Sequence, residues 1–300
     1  MSGHDRRGFF GELLRSVARV GAEVDEALGS FREQPPPPPD DEEVVEVVDA
    51  PPAESEASLD DLTRLCDELG RGDWATGAAA AASVSIRLTH ASGERGSYLG
   101  GPAPLPAGQP WPAAGGEPLT LVLCLALDEL GPLPFAARGS LLLFGALDEP
   151  QAARIVLAPP GAPLASEGIA LPRVPLEASR ELVLPAVPRE PDLDPTDLET
   201  WTRLRARLAQ LQGVELEEQS PHYHALHRLL GEPDLVAHTM DEEAAHSLPG
   251  TAPADWRLLL QVSSDPAAGL RLPAYERLHV WAPAADVAAA RFDRCRAFVG

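Results

Sequence analysis

Three histidines, His222, His224 and His227, come nearest in type and spacing to a metal-binding set in this 300-residue chain. On a helix, His224 and His227 would share a face and His222 would lie on the first turn. Three imidazoles so placed can hold zinc with an open fourth position, and Glu232 or Asp234 could complete the set. The site would then be that of a metal-dependent hydrolase or a small-ligand-binding enzyme. No His-Glu-x-x-His, Cys-x-x-Cys or Gly-x-Ser-x-Gly pattern accompanies them. No cofactor is expected.

A second set of polar positions comes from an internal repeat. The apolar run at residues 120–125 aligns with residues 257–262 at an offset of 137. Carried forward without a gap, that offset pairs Asp128 with Asp265, residues 140–144 with 277–281, and Arg154 with Arg291. Each unit reads as a strand, a loop with an Asp near its start, and a second strand ending in an aromatic. The expectation is two equivalent β-units facing one another in one core. Asp128, Asp265, Arg154 and Arg291 are then the positions for loop hydrogen bonds or ion pairs. Gln261 aligns with Cys124. If Gln261 is buried it must be hydrogen-bonded, and the Gly- and Pro-rich residues 98–118 offer carbonyls for it. Cys124, inside an apolar strand, reads as a buried inert thiol.

The elements that must position these groups can be read in order. Residues 9–31 carry apolar residues every three or four positions, from Phe10 through Leu13, Leu14, Val17 and Val20 to Phe31, the pattern of an amphipathic helix. Charged residues from Glu12 to Glu26 interrupt any export signal there. Residues 6–31 could dock on the chain's own domain, on a partner or on a membrane surface. Residues 35–39 are five prolines, and residues 40–61 hold ten acids and no base. That composition predicts a disordered tether. A division follows: amphipathic helix 1–33, Pro-rich acidic linker 34–57, and one α+β domain at 58–300. Within the domain, Ser58 caps a helix that stops at Gly70, residues 83–88 alternate as a strand, and residues 195–211 form a helix stopped by Gly213. A short helix is expected over residues 222–230.

Composition bounds function. The net charge is −22, so binding nucleic acid by neutralising phosphates is disfavoured. The same charge suits a basic protein partner, which it would steer electrostatically. The 24 basic residues are all Arg. Three widely spaced cysteines predict free thiols in a reducing, cytoplasmic compartment. No apolar run reaches the roughly 18–20 residues of a membrane-spanning helix.

Several segments together resemble the YwqG-like family, a bacterial family without an assigned activity. They are Gly100-Gly101-Pro102, Leu105-Pro106 and Trp111-Pro112 before the first core strand, then His227-Arg228-Leu229-Leu230-Gly231-Glu232-Pro233-Asp234. Residues 258–265 and Arg277-Leu278-His279-Val280-Trp281 complete the resemblance, which spans about residues 98–299. It implies an α+β domain of mostly antiparallel strands. The chain departs from the family where the pattern has Gln and Asp in the first core strand, since Cys124 and Ala126 stand there. His238-Thr239 and Leu272-Pro273-Ala274 replace further polar positions. A divergent member that keeps scaffold residues while losing polar ones implies a non-catalytic protein-interaction module more than an enzyme.

Overall fold

The computed structural model describes residues 57–146, 149, 152–188, 195–214, 227–233, 240–272 and 277–299. The expected amphipathic helix and linker, His222, His224 and Asp234 lie outside the described residues. All described residues belong to one compact unit, Pro51–Gly300.

Two helices come first, α1 (Leu59–Glu68) and α2 (Ala75–Ala81). Ser58 starts α1 as expected. Its hydroxyl accepts from the Asp61 amide at 3.1 Å while the Asp61 carboxylate accepts from the Ser58 amide at 3.0 Å, a reciprocal capping box. Strands β1 (Ser83–His90), β2 (Ser97–Leu99), β3 (Ala103–Pro104), β4 (Ala113–Ala114) and β5 (Glu117–Pro118) lead into β6 (Thr120–Ala126), β7 (Ser140–Gly145) and β8 (Arg154–Ala158). Then come β9 (Leu164–Ala165), β10 (Val174–Val183), α3 (Pro195–Leu211), β11 (His227–Leu229), α4 (Met240–Ser247), β12 (Trp256–Ser263), β13 (Arg277–Pro283), α5 (Ala284–Ala288) and β14 (Arg296–Val299). The short helix expected over 222–230 is not found where that stretch is described: residues 227–229 are a strand. The strand ends because Leu230 and Gly231 turn the chain at φ 65° and 86°, left-handed values that no strand sustains.

Ten strands form one antiparallel sheet in the order β14-β13-β12-β11-β1-β10-β2-β6-β7-β8. That order reads the same from both ends once β14 is matched with β8, β13 with β7, β12 with β6, β11 with β2 and β1 with β10. Residue registers agree with the match. Leu121 pairs with Phe144 and Leu123 with Leu143, the shift between them marking a bulge. Leu258 pairs with Trp281 and Leu260 with Val280 across an identical shift. The turn after β2, Gly100-Gly101, is repeated after β11 as Leu230-Gly231, all four at positive φ. In one half the Gly100 amide donates to the Val122 carbonyl, and in the other the Leu230 amide donates to Leu259. The internal duplication is therefore real. Its units are parts of one continuous sheet, related by a pseudo-twofold axis between β1 and β10, and they meet in one core as expected. The offset of 137 holds through β13 and then fails. Arg154 pairs with Phe144 as Arg296 pairs with Trp281, so the counterpart of Arg154 is Arg296 rather than Arg291. The α5 turn supplies the extra residues.

One face of the sheet carries the main core. Leu123, Leu125 and Leu141 from the first half join Leu260, Val262 and Leu278 from the second through Ile86, Leu88, Leu176 and Leu229. Phe135, after β6, meets Phe292, before β14, edge to face at 5.6 Å. On a flat sheet β6 and β14 would lie roughly 33 Å apart at about 4.8 Å per strand, so the sheet curls around this core. Elsewhere α1 and α3 pack on the end of β10 through Leu62, Leu65, Trp201 and Leu204. Beyond β2 the free edge of β10 is closed by a side chain. Gln212 accepts from the Leu182 amide at 2.7 Å and donates to its carbonyl at 3.0 Å, as a neighbouring strand would.

Candidate functional site

The two halves differ most on the second face of the sheet. Register places Arg87, Arg228, Gln261 and His279 directly opposite one another across β1, β11, β12 and β13. Alternation along each strand points all four to the same face, and all are buried. The matching row in the first half is Pro175, Tyr98, Cys124 and Leu142. There the face is apolar: Tyr98, Leu121, Cys124, Leu142 and Phe144 form one cluster. A fold that accepts apolar residues at every position of one row has no structural need for arginine, glutamine and histidine in the other. The polar row is thus the feature a binding function would explain.

Neighbouring groups extend the row. Glu181, opposite Ser85, accepts from the Nε of Arg228 at 2.5 Å, with both side chains buried. Arg277 donates through Nε to the Ser263 hydroxyl at 3.1 Å. Arg87 is 8% exposed and donates to the Ser179 hydroxyl at 3.4 Å, a length at which a hydrogen bond is weak. Burial pushes the Arg87 guanidinium below its ordinary range; Glu181 opposes that shift and Arg228 adds to it. A cleft bordered by Glu181, Leu184, Arg205, Leu208, Gln212 and Arg228 opens between β10 and α3.

On the first face, at the end of the core, Asp265 lies between two histidines. His90 Nε2 stands 2.6 Å from its Oδ2 and His227 Nε2 3.2 Å from the same oxygen. The Ser263 amide donates to His227 Nδ1 at 3.3 Å, so the proton of the neutral ring sits on Nε2 and is donated to Asp265. The Ala268 amide donates to Asp265 Oδ1 at 3.1 Å. Burial pushes the Asp265 carboxyl up, but hydrogen bonds from His227 and His90 outweigh it and hold the group far below the usual carboxylate range. His90, with its side chain 45% exposed, is raised by its bond to Asp265. An accessible imidazole backed by a buried carboxylate can hold or pass a proton. Here the same oxygen also binds His227, and the group ties β1, β11 and the loop after β12 together. The first half lacks this cluster. Ser97 takes the place of His227 and accepts from the Ala126 amide at 3.0 Å, while Asp128 is exposed on a 3-10 turn.

The residues singled out by sequence thus divide. Asp265 and His227 come together, joined by His90, which the sequence did not flag. With both ring nitrogens hydrogen-bonded, His227 could bind a metal only by giving one up. Among the described residues no group of three or more His, Cys, Asp or Glu side chains is arranged to hold a metal. Gln261 is fully buried, but beside Arg228 and His279, with four other strands between it and β6. The Gly- and Pro-rich segment it was expected to hold is tied down elsewhere: Tyr98 donates to the Pro102 carbonyl at 2.6 Å and Trp111 to the Leu119 carbonyl at 2.6 Å. Arg154 is exposed and donates to the Ala153 carbonyl. Arg291 pairs with buried Asp286 at 2.8 Å, and Arg294 binds the same carboxylate at 2.6 Å. Arg87 and His279 were missed because register alone places them beside Gln261; the alternation of Ser85, Arg87 and Thr89 against Ile86, Leu88 and His90 was the available signal.

No helix among the described residues is long and apolar enough to cross a membrane. A family model described as a domain of unknown function (DUF1963) matches residues 97–299, and the chain belongs to that family. No curated protein matches the chain.

Proposed function

We propose that this DUF1963 chain, in its YwqG-like form, is a non-catalytic binding module for a protein partner of basic charge, working in the cytoplasm. The observation that carries the reading is that the three buried carboxylates among the described residues are already committed to basic side chains. Asp265 is held by His90 and His227, Glu181 by Arg228, and Asp286 by Arg291 and Arg294. Carboxylates so paired tie strands and turns together and are not free to act on a substrate. The thiols offer no nucleophile either. Burial pushes Cys66 and Cys124 up, and Cys295 to about 12, whereas nucleophilic cysteines are lowered. The net charge of −22 favours a basic partner through steering and on-rate. In this reading residues 1–33 and the linker 34–57 present the domain at 58–300 to that partner.

The test uses the full chain, immobilised and probed with basic, neutral and acidic peptides at rising salt. Basic peptides should be retained at low ionic strength and released as screening shortens the Debye length. Equal capture of basic and acidic peptides would sink the proposal. Stoichiometric zinc in untagged protein together with hydrolytic turnover would replace it with a metal-dependent hydrolase using His222, His224 and His227.

A further inference from the structure

We infer that Arg87 anchors a binding site for one small oxyanion group, a carboxylate or a phosphate, on the polar face of the second half. The inference goes beyond the proposed protein partner and rests on separate observations. A guanidinium has five N–H donors. At Arg87 one of them reaches Ser179 at 3.4 Å, and among the described residues no carboxylate lies within ion-pairing distance of it. Glu181, whose charge influences it, is bound to Arg228 at 2.5 Å. A charged group 92% buried with most of its donors idle is costly unless an anion or water completes it.

The scaffold does not require that cost. The equivalent position of the other half is Pro175, which cannot even donate a backbone hydrogen bond. A second group points to the same ligand. Ser85, two residues before Arg87 and on the same face, is fully buried, and its hydroxyl has no hydrogen-bond partner. Guanidinium and hydroxyl together present a charged fork and a neutral donor at the spacing of alternate residues on a strand, roughly 7 Å. Oxyanions are bound in this way, and low surrounding polarity strengthens each bond. The ligand group must be small, because a chain of net charge −22 repels polyanions.

The test is calorimetric titration and thermal unfolding of the full chain with sodium phosphate and, separately, sodium acetate, ionic strength being held constant with sodium chloride. Wild type should show a saturable heat and a saturable rise in Tm with at least one anion, and the arm that responds names the chemistry. Arg87→Met should lose the saturable response, and Ser85→Ala should weaken binding by about 3–10-fold. Should Arg87→Met fail to fold, Arg87→Lys serves: it keeps the charge, loses the fork, and should bind at least about tenfold more weakly. No saturable response to either anion in wild type would overturn the inference. So would a linear rise shared by wild type and Arg87→Met, since that is general salting-out, or an undiminished isotherm in either arginine variant.

Discussion

Replacing Asp265 by alanine tests the His90–Asp265–His227 cluster, and the pseudo-symmetry supplies its control. Asp265 is 1% exposed and accepts from His90, His227 and the Ala268 amide. Its removal leaves the fully buried His227 Nε2–H and the Ala268 N–H without an acceptor. Each stranded buried donor costs about 1–3 kcal/mol. His90 is half-exposed and can turn to water, so it adds little. The sum is about 2–6 kcal/mol. With an m-value of about 2–3 kcal/mol/M for urea, the midpoint should fall by about 0.7–3 M. Asp128 occupies the equivalent position in the other half but is exposed, so Asp128→Ala should stay within about 0.5 kcal/mol of wild type. The readout is paired urea denaturation by fluorescence of the five tryptophans. A loss below about 1 kcal/mol for Asp265→Ala, or equal losses for the two variants, would refute the account of a clamp present in one half only.

The same cluster predicts a pH dependence. Asp265 is lowered in the fold, so its contribution is present above about pH 4, the value of an unfolded carboxyl, and fades as pH falls through its folded value. His90 is raised, so its contribution is complete below about pH 6.5 and fades as pH rises through its folded value. The stability gap between wild type and Asp265→Asn should therefore be widest from about pH 4 to 6.5; a gap that widened above pH 8 would contradict the signs. Gln261→Leu should cost about 1–3 kcal/mol in chemical denaturation, since any polar partner of a fully buried amide is left unsatisfied. Cys124→Ser should cost less, because what it loses is the weak contact that the thiol makes with the Gly96 carbonyl at 3.9 Å. Thiol titration at pH 8 should label Cys66, Cys124 and Cys295 slowly in the native protein and fully in urea, whereas a fast native thiol would contradict the upward shifts.

Local signals carried most of the fold. The Ser58 cap, the alternation of β1 and the apolar stripe of α3 act through neighbours in sequence, and each was legible. So was the hairpin duplication, because strand, loop and strand keep one offset even through the bulge. What escaped reading depends on distance. The equivalence of β1 and β10 runs at an offset of 88 (Ile86 to Val174), not 137, because the two halves differ in the lengths of their connections. The strand at residues 227–229 carries a histidine and leucines that also suit a helix, and only the left-handed turn at Leu230-Gly231 and pairing on both sides decide the matter. The polar row draws on four strands spread over nearly two hundred positions, and nothing in the spacing of Arg87, Arg228, Gln261 and His279 announces it.

Duplication explains why such a row can exist. A sheet built from two equivalent halves has each packing problem solved twice. The first half keeps the apolar solution on its second face, with Leu142 and Phe144 packed beside Tyr98 and Trp111. It can stabilise the curled sheet without polar contributions there. The second half is then free to carry groups that cost stability, as a buried guanidinium does. Its losses are offset locally by the Asp265 clamp on the opposite face and by the packing of Trp256, Leu258 and Trp281 against α4. The position of a binding function within this fold follows from that division. Where two halves share one backbone plan, the half that has departed from the apolar solution is the one to probe, and Arg87 is the residue at which the departure is least compensated.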